Sequence, residues 1–338
     1  MADLDLSAPL ASSESGARVA SLRKVVFQAA LPIALVVLIL AFAAVDRRVV
    51  SAANLMNIAQ QTGYLALFAM AQTTVILTRG FDLALGPTVS MVSVGAALAM
   101  ASATTAHQEP SVVLLVGLGA GFALGAACGL FNGAVIALLG VSPFVTTLGS
   151  YNIAIGIATT LSSGRPVQGV PDLFTRLFYG GTVLGVPAAI VIAVAVGVLL
   201  HLMLKRTVFG RSLYLIGTNP RAATVGGIPV RRMLVATYLL CSGLSALGAL
   251  MLTARTGSGE PNLGGSLSLQ AIAAAVVGGT SLAGGKGGVG TAVLGALFVT
   301  ILSNGMDLVG IGGYVQMVVL GAIVIAGVVL DRARLERR

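Results

Sequence analysis

KRTVFGRSLYLIGTNPRAATVGGIPVRR, from Lys205 to Arg232, is the one long basic segment between two apolar blocks of the chain. It holds Lys205, Arg206, Arg211, Arg221, Arg231 and Arg232, six of the twenty Lys and Arg residues. Its centre carries helix punctuation of its own. Asn219 can accept a backbone N–H as an N-cap, and Pro220 suits the first helical position, where its missing N–H would be unpaired anyway. Arg221-Ala222-Ala223-Thr224-Val225 continues the turn, and Gly226-Gly227 can close it with a left-handed residue. A short helix in a charged loop between apolar blocks has nothing of its own chain to bury against. It reads either as a surface turn or as a docking element for a soluble partner.

The blocks around it set the class. With 57% hydrophobic and 9% charged residues, the chain lacks the charge that a water-facing surface needs. The net charge of +9 would suggest nucleic acid in a soluble protein. Here the basic residues sit in loops between apolar runs, so the anionic inner face of a membrane accounts for them and no nucleic-acid partner is expected. Cys128 and Cys241 lie inside apolar runs and build neither a disulfide nor a zinc framework.

Charges divide the chain into spans. Charge-free intervals run between Lys24 and Asp46, Arg48 and Arg79, Asp82 and Glu109, Glu109 and Arg165, and Arg176 and Lys205. Others run between Arg232 and Arg255, Glu260 and Lys286, Lys286 and Asp307, and Asp307 and Asp331. A crossing needs about 20 apolar residues. Each interval takes one helix, except that Glu109 to Arg165 takes two, broken at Gly140-Val141-Ser142-Pro143. The expectation is an all-α polytopic membrane protein of about ten transmembrane helices. A polar segment 1–22 precedes the transmembrane domain 23–332, which contains the loop 205–232, and a basic tail 333–338 follows. Ala41-Phe42-Ala43 imitates a signal-peptidase site, but the apolar stretch before it is longer than a signal peptide's, so an uncleaved first helix is expected. Placing both termini in the cytoplasm puts fifteen Lys and Arg inside and five outside: Arg47, Arg48, Arg165, Arg176 and Arg255.

Span 4 carries Gly117, Gly121, Gly125, Gly129 and Gly133, one every fourth residue. That spacing makes a flat stripe on one helical face and fits close helix packing; a smooth wall of a permeation path is the alternative. Two pairs of segments echo each other. NGAVIALLGVSPFVTTLG (132–149) resembles NGMDLVGIGGYVQMVVLG (304–321), and ILTRGFDLALG (76–86) resembles LTARTGSGEPNLGG (252–265). Copies five spans apart must point opposite ways through the bilayer. Spans 2–5 and 7–10 would then form an inverted repeat, which places a solute path where the halves meet. The echoed polar and aromatic positions Asn132, Phe144, Asn304 and Tyr314 are the candidates for lining it.

GTSLAGGKG (279–287) imitates a phosphate-binding loop but has one residue too many before Lys286, no Ser or Thr after it and no preceding strand. His107 and His201 stand apart, and no Ser, Cys or Asp is placed with a His for nucleophilic chemistry, so no metal site, no bound cofactor and no enzyme activity are expected. Ion-coupled carriers keep ionisable residues deep in the membrane, whereas Asp82 and Asp307 fall at span ends. Energy must therefore enter from a partner.

Taken together, LTRGFDLALG (77–86), FNGAVIALLGVSPFVTTLGS (131–150), SSGRPV (162–167), the central basic segment and AIAAAVVGGTSLAGGKGGVGTAVLGAL (271–297) resemble the membrane permease of ribose-type ABC importers, over about 54–331. The resemblance implies a bacterial inner-membrane permease, paired with a second permease subunit in a homodimer or heterodimer. A cytoplasmic ATPase that itself binds ATP would dock on 205–232, and an extracytoplasmic binding protein would deliver a sugar. It puts mechanical coupling on Phe209, Gly210, Arg211, Gly217, Asn219, Ala222, Ala223, Gly227 and Ile228. Nucleosides or branched-chain amino acids as cargo remain open, as does an ion-coupled secondary transporter.

Overall fold

The computed structural model describes residues 31–336; the segment 1–22 and the tail residues Arg337 and Arg338 lie outside the described residues. Helix α1 covers Leu31–Val45. There follow α2 (Ala52–Leu77), α3 (Leu85–Thr105), α4 (Pro110–Leu139), α5 (Pro143–Ser162) and the single turn α6 (Asp172–Thr175). After α7 (Ala188–Arg206) come α8 (Val208–Thr218), α9 (Pro220–Val225), α10 (Val230–Thr256), α11 (Leu267–Gly278), α12 (Val289–Leu308) and α13 (Gly313–Glu336). The only sheet among the described residues is a hairpin of β1 (Thr182–Val183) and β2 (Val186–Pro187), turning at Leu184-Gly185 before α7.

A helix stands in each charge-free interval, and the break in the long interval falls where expected. Gly140, at φ 71°, ends α4, and Pro143 opens α5 in the position where a proline costs no hydrogen bond. Among the described residues, six helices are long and apolar enough to cross a membrane: α3, α4, α5, α7, α10 and α12. Helix α2 spans 26 residues, but Asn, Gln and Thr dilute its apolar character, and every residue from Thr62 to Leu77 is buried. It is the central post of the fold. Helix α11 departs from the expected span. Its 12 residues reach about 18 Å, short of the ~30 Å hydrocarbon core, because 257–266 and 279–288 fold as loops instead of extending the helix. Irregular backbone of this kind is tolerated at membrane depth when protein covers it.

The packing is paired throughout. Helix α4 lies along α10, and α12 lies along α2. Likewise α3 packs on α4 and α5 as α11 packs on α12 and α13, while α3 touches α10 and α11 touches α2. At the centre the two echoed glycines meet: a Cβ on Gly86 would lie 2.7 Å from the Gly264 carbonyl oxygen, too close for any side chain. Their amides are exchanged. Gly86 N–H donates to Ser268 Oγ (2.7 Å), and Gly264 N–H donates to Ser90 Oγ (2.9 Å). Each serine stands four residues after the glycine of its own half. The Ser268 hydroxyl also donates to the Leu83 carbonyl (2.8 Å).

Candidate functional site

The basic segment folds as two short helices. Thr207 caps α8 by accepting the Gly210 N–H (3.1 Å), and Asn219 caps α9 by accepting from Arg221 and Ala222, both at 3.1 Å. At the far end of α9, Gly227 (φ 82°) donates to the Thr224 carbonyl and Ile228 to the Ala223 carbonyl, each at 3.0 Å. That pair closes the helix in a Schellman motif, which requires a left-handed residue and hence glycine.

The expectation that α9 has nothing of its own chain to bury is corrected. Ala223 is 6% exposed, and α9 touches both α8 and α10. The apolar side of α8, with Leu213 and Ile216 buried, turns the whole element onto the helix ends. Gly210 sits against the Leu204 backbone, and at Gly217 a Cβ would lie 2.3 Å from the Gly285 amide nitrogen. Two backbones therefore touch directly. Arg79, held in the left-handed region at φ 65°, locks this seat. Its Nε donates to the Gly217 carbonyl (2.6 Å) and its Nη2 to the Thr218 carbonyl (2.7 Å). A cation on the last carbonyls of α8 satisfies acceptors that the helix cannot pair itself. From the other side the Tyr214 hydroxyl donates to Gly287 O (3.0 Å), and burial pushes that phenol up, so it stays a donor. Of the expected coupling residues, Gly210, Gly217 and Ala223 face inward and Phe209 is half-buried against the core; Arg211, Asn219, Ala222 and Gly227 face out, and Ile228 is half-buried. Leu215 (55% exposed) and Val225 (90%) add apolar area to the outer face.

Sequence reasoning missed Arg79 and the loop 279–288 as partners of this element. The glycine run that imitates a phosphate loop had the signal: Gly284 and Gly285 are needed here by close contact with Gly217 and Thr218 of α8.

A second feature is a cavity of about 720 Å³ walled by α5, α11, α12 and α13 and reached by Leu83. Its polar lining is neutral: Tyr151, Ser266, Ser268, Gln270, Ser303, Tyr314 and Gln316. Of the four path candidates, Tyr314 lines the cavity, and Phe144 stands 56% exposed on α5. Asn132 and Asn304 lie elsewhere, between helices. Asn132 Oδ1 accepts from the Ser150 hydroxyl on α5, and Asn304 trades amide hydrogen bonds of 2.8 and 3.0 Å with Asn54 on α2. The five glycines of α4 are all buried; Gly121, Gly125, Gly129 and Gly133 face α10, and Gly117 faces Met100 of α3. A Cβ at Gly129 would lie 2.8 Å from Leu239 Cα. Asp82 is 1% exposed in the turn between α2 and α3, accepting the Ala84 N–H (3.0 Å) at the start of α3.

Long apolar helices packed against one another define a multi-pass membrane protein. The chain belongs to the family described as branched-chain amino acid transport system / permease component, whose family model matches residues 54–328. It is 37% identical over 307 residues to the ribose import permease protein RbsC of Escherichia coli (strain K12), covering 89% of this chain and 92% of that one. To the protein of the same name from Bacillus subtilis (strain 168) it is 35% identical over 287 residues, covering 83% and 85%. The D-allose transport system permease protein AlsC of E. coli (strain K12) is 32% identical over 284 residues, covering 82% and 83%. No solved structure matches the chain.

Proposed function

We propose that the chain is the permease subunit of an ABC importer for a monosaccharide, crossing the membrane ten times with both termini cytoplasmic. The observation that carries the reading is the α8–α9 element: backed by direct backbone contact and Arg79, it offers an outer face of Arg211, Leu215, Ala222 and Val225. An element seated this firmly transmits a push, which suits an ATPase that docks from the cytoplasm. Arg79, Lys286 and the six cations of 205–232 gather at that end, and the positive-inside preference supports calling it cytoplasmic. Paired packing supports an inverted repeat of spans 2–5 and 7–10. The neutral hydroxyl and amide lining suits a sugar better than the paired charges of an amino acid, and relatives named for ribose and D-allose point the same way. The exposed face of α5, with Val145 and Ile153, would take a second permease subunit.

The test replaces Val225 with Asp, which puts a charge into the docking contact and costs about 2–5 kcal/mol if that contact is buried. The permease should reach the membrane, lose its copurifying ATPase and lose uptake of labelled D-ribose or D-allose. Retained ATPase with normal uptake would place docking elsewhere. Uptake that survives ATP depletion but not collapse of the ion gradient would favour a secondary transporter. Reporter fusions after Arg48 and Glu260 should read outside, and those after Phe209 and Arg338 inside.

A further inference from the structure

The loop between α11 and α12 touches three helices at this end, α2, α8 and α13, of which α2 and α8 also meet each other at Leu77 and Gly217. On α2, Thr73 and Thr280 hydroxyls lie 3.4 Å apart, and the Gly285 N–H donates to the Leu77 carbonyl (3.0 Å). On α8, Gly285 abuts Gly217 and Gly287 O accepts from Tyr214. On α13, the Asp331 carboxylate accepts from the Ser281 hydroxyl (2.9 Å) and from the Leu282 N–H (3.1 Å), both through Oδ2.

Between these contacts the loop is closed on itself. Ser281 N–H donates to the Lys286 carbonyl and Gly284 N–H to the Ser281 carbonyl, each at 3.0 Å. A compact turn of this kind moves as a unit, so displacement at Gly285 arrives at Ser281. At Gly217 and Gly285 the contact with α8 is backbone on backbone, which leaves little slack to absorb motion. At the receiving end, α13 is the least-held long helix: Leu320 is its one buried side chain among the described residues, while Tyr314, Met317 and Val318 are exposed. A helix with so few packed contacts follows whatever fixes its ends. Asp331 is such a fixing point, and hydrogen bonds to a charged acceptor are the stronger kind.

We propose that Asp331 is a positioning residue through which movement of α8–α9 reaches α13, with the loop 280–288 as the rigid connecting piece. The inference rests on the reading of α8–α9 as the ATPase seat. In this arrangement ATP-driven motion at α8 shifts the inner end of α13 and with it the wall of the cavity carrying Tyr314. Among the described residues no hydrogen bond joins α5, the facing wall, to the loop, and α5 would respond by another route.

The test uses the full chain with its copurifying ATPase in proteoliposomes, with Cys128→Ala and Cys241→Ala as background. A single cysteine replaces Met317 on α13 or Leu148 on α5, and maleimide labelling is compared before and after trapping with ATP and vanadate. In the parent, labelling at both positions should change on trapping. In Asp331→Ala the change at 317 should shrink by roughly tenfold, the factor expected for loss of hydrogen bonds to a charged group, while the change at 148 persists and the ATPase stays bound. Asp331→Asn keeps an acceptor oxygen and the same shape, so it should retain part of the response at 317 and guards against simple misfolding. An undiminished response at 317 in Asp331→Ala, or equal loss at 148 and 317, overturns the inference. Failure of the parent chain to hold any ATPase would instead overturn the proposed function, and this inference with it.

Discussion

Helices α4 (Pro110–Leu139) and α13 (Gly313–Glu336) are both long and are held in opposite ways. Along α4, five buried glycines bring backbone against α3 and α10, and at Gly129 and Gly133 a Cβ would lie 2.8 Å from a Cα of the neighbour. Along α13 the described side chains are mostly exposed, and Tyr314 is 88% exposed beside a cavity. Backbone packed on backbone has one distance at which it fits, so α4 and α10 move together or not at all. A helix held by its tip and a few side chains has several positions of similar energy. On the proposed reading, this difference in packing would separate a frame, α4 with α10, from a movable wall, α13.

That contrast can be broken at either end. The largest effect is expected from Gly129→Leu, since four extra heavy atoms have no space against Leu239 Cα and the Tyr238 carbonyl. Overpacking against backbone should cost about 3 kcal/mol or more, and the amount of assembled protein in the membrane should collapse. Normal assembly with altered uptake would mean that the stripe lines a path. Next comes Ala223→Asp. Because Ala223 faces inward, the carboxylate is forced beneath α9, and the Schellman closure at Gly227 should open, read as new protease cleavage in 220–229 together with ATPase loss. Cleavage unchanged from the parent would show that α9 tolerates the charge. A smaller change is expected from Ser268→Ala, which leaves the Gly86 amide and the Leu83 carbonyl without their partner. It should lower thermal stability in detergent by about 1–3 kcal/mol, and Ser90→Ala, which strands one group instead of two, by less. Equal effects would argue against a shared centre. Smallest of all for stability is Tyr314→Ala, whose exposed ring supports no packing. Assembly should match the parent within about 0.5 kcal/mol while uptake falls; a fall in both would put α13 in the frame.

Much of this was legible in residue order because it depends on local chemistry. Gly140 with Pro143 marks the end of one helix and the start of the next, Asn219 with Pro220 starts α9, and Gly227 ends it, each through one or two backbone groups. The glycine stripe was legible as a face, although its partner α10 was not. What escaped depends on groups far apart in the chain. Charges mark where an interval ends but not how much of it is helical, so α11 was expected to be a full span. The Arg79 side chain reaches 138 and 139 residues along the chain to Gly217 and Thr218, and no local pattern announces that. Asn132 and Asn304 stood out by repetition, yet their hydrogen bonds go to Ser150 and Asn54, partners that the repeat does not share. The loop 279–288 fails as a phosphate binder for sound reasons, and its glycines answer to a different demand.

The hairpin tip at Leu184-Gly185 projects fully into its surroundings, with Leu184 100% exposed and no atom within 4 Å of the Gly185 Cβ position. It also falls between α6 and α7. Severing the chain there would leave two polypeptides, α1 to β1 and β2 to α13, still bound by α4 on α10, α2 on α12 and the exchanged amides of Gly86 and Gly264. Such fragments, made separately in one cell, have the complementary surfaces to find each other and rebuild a working whole. Covalent continuity at that point would then be a convenience of synthesis, because the grip between the two parts lies in packed helices far from the hairpin.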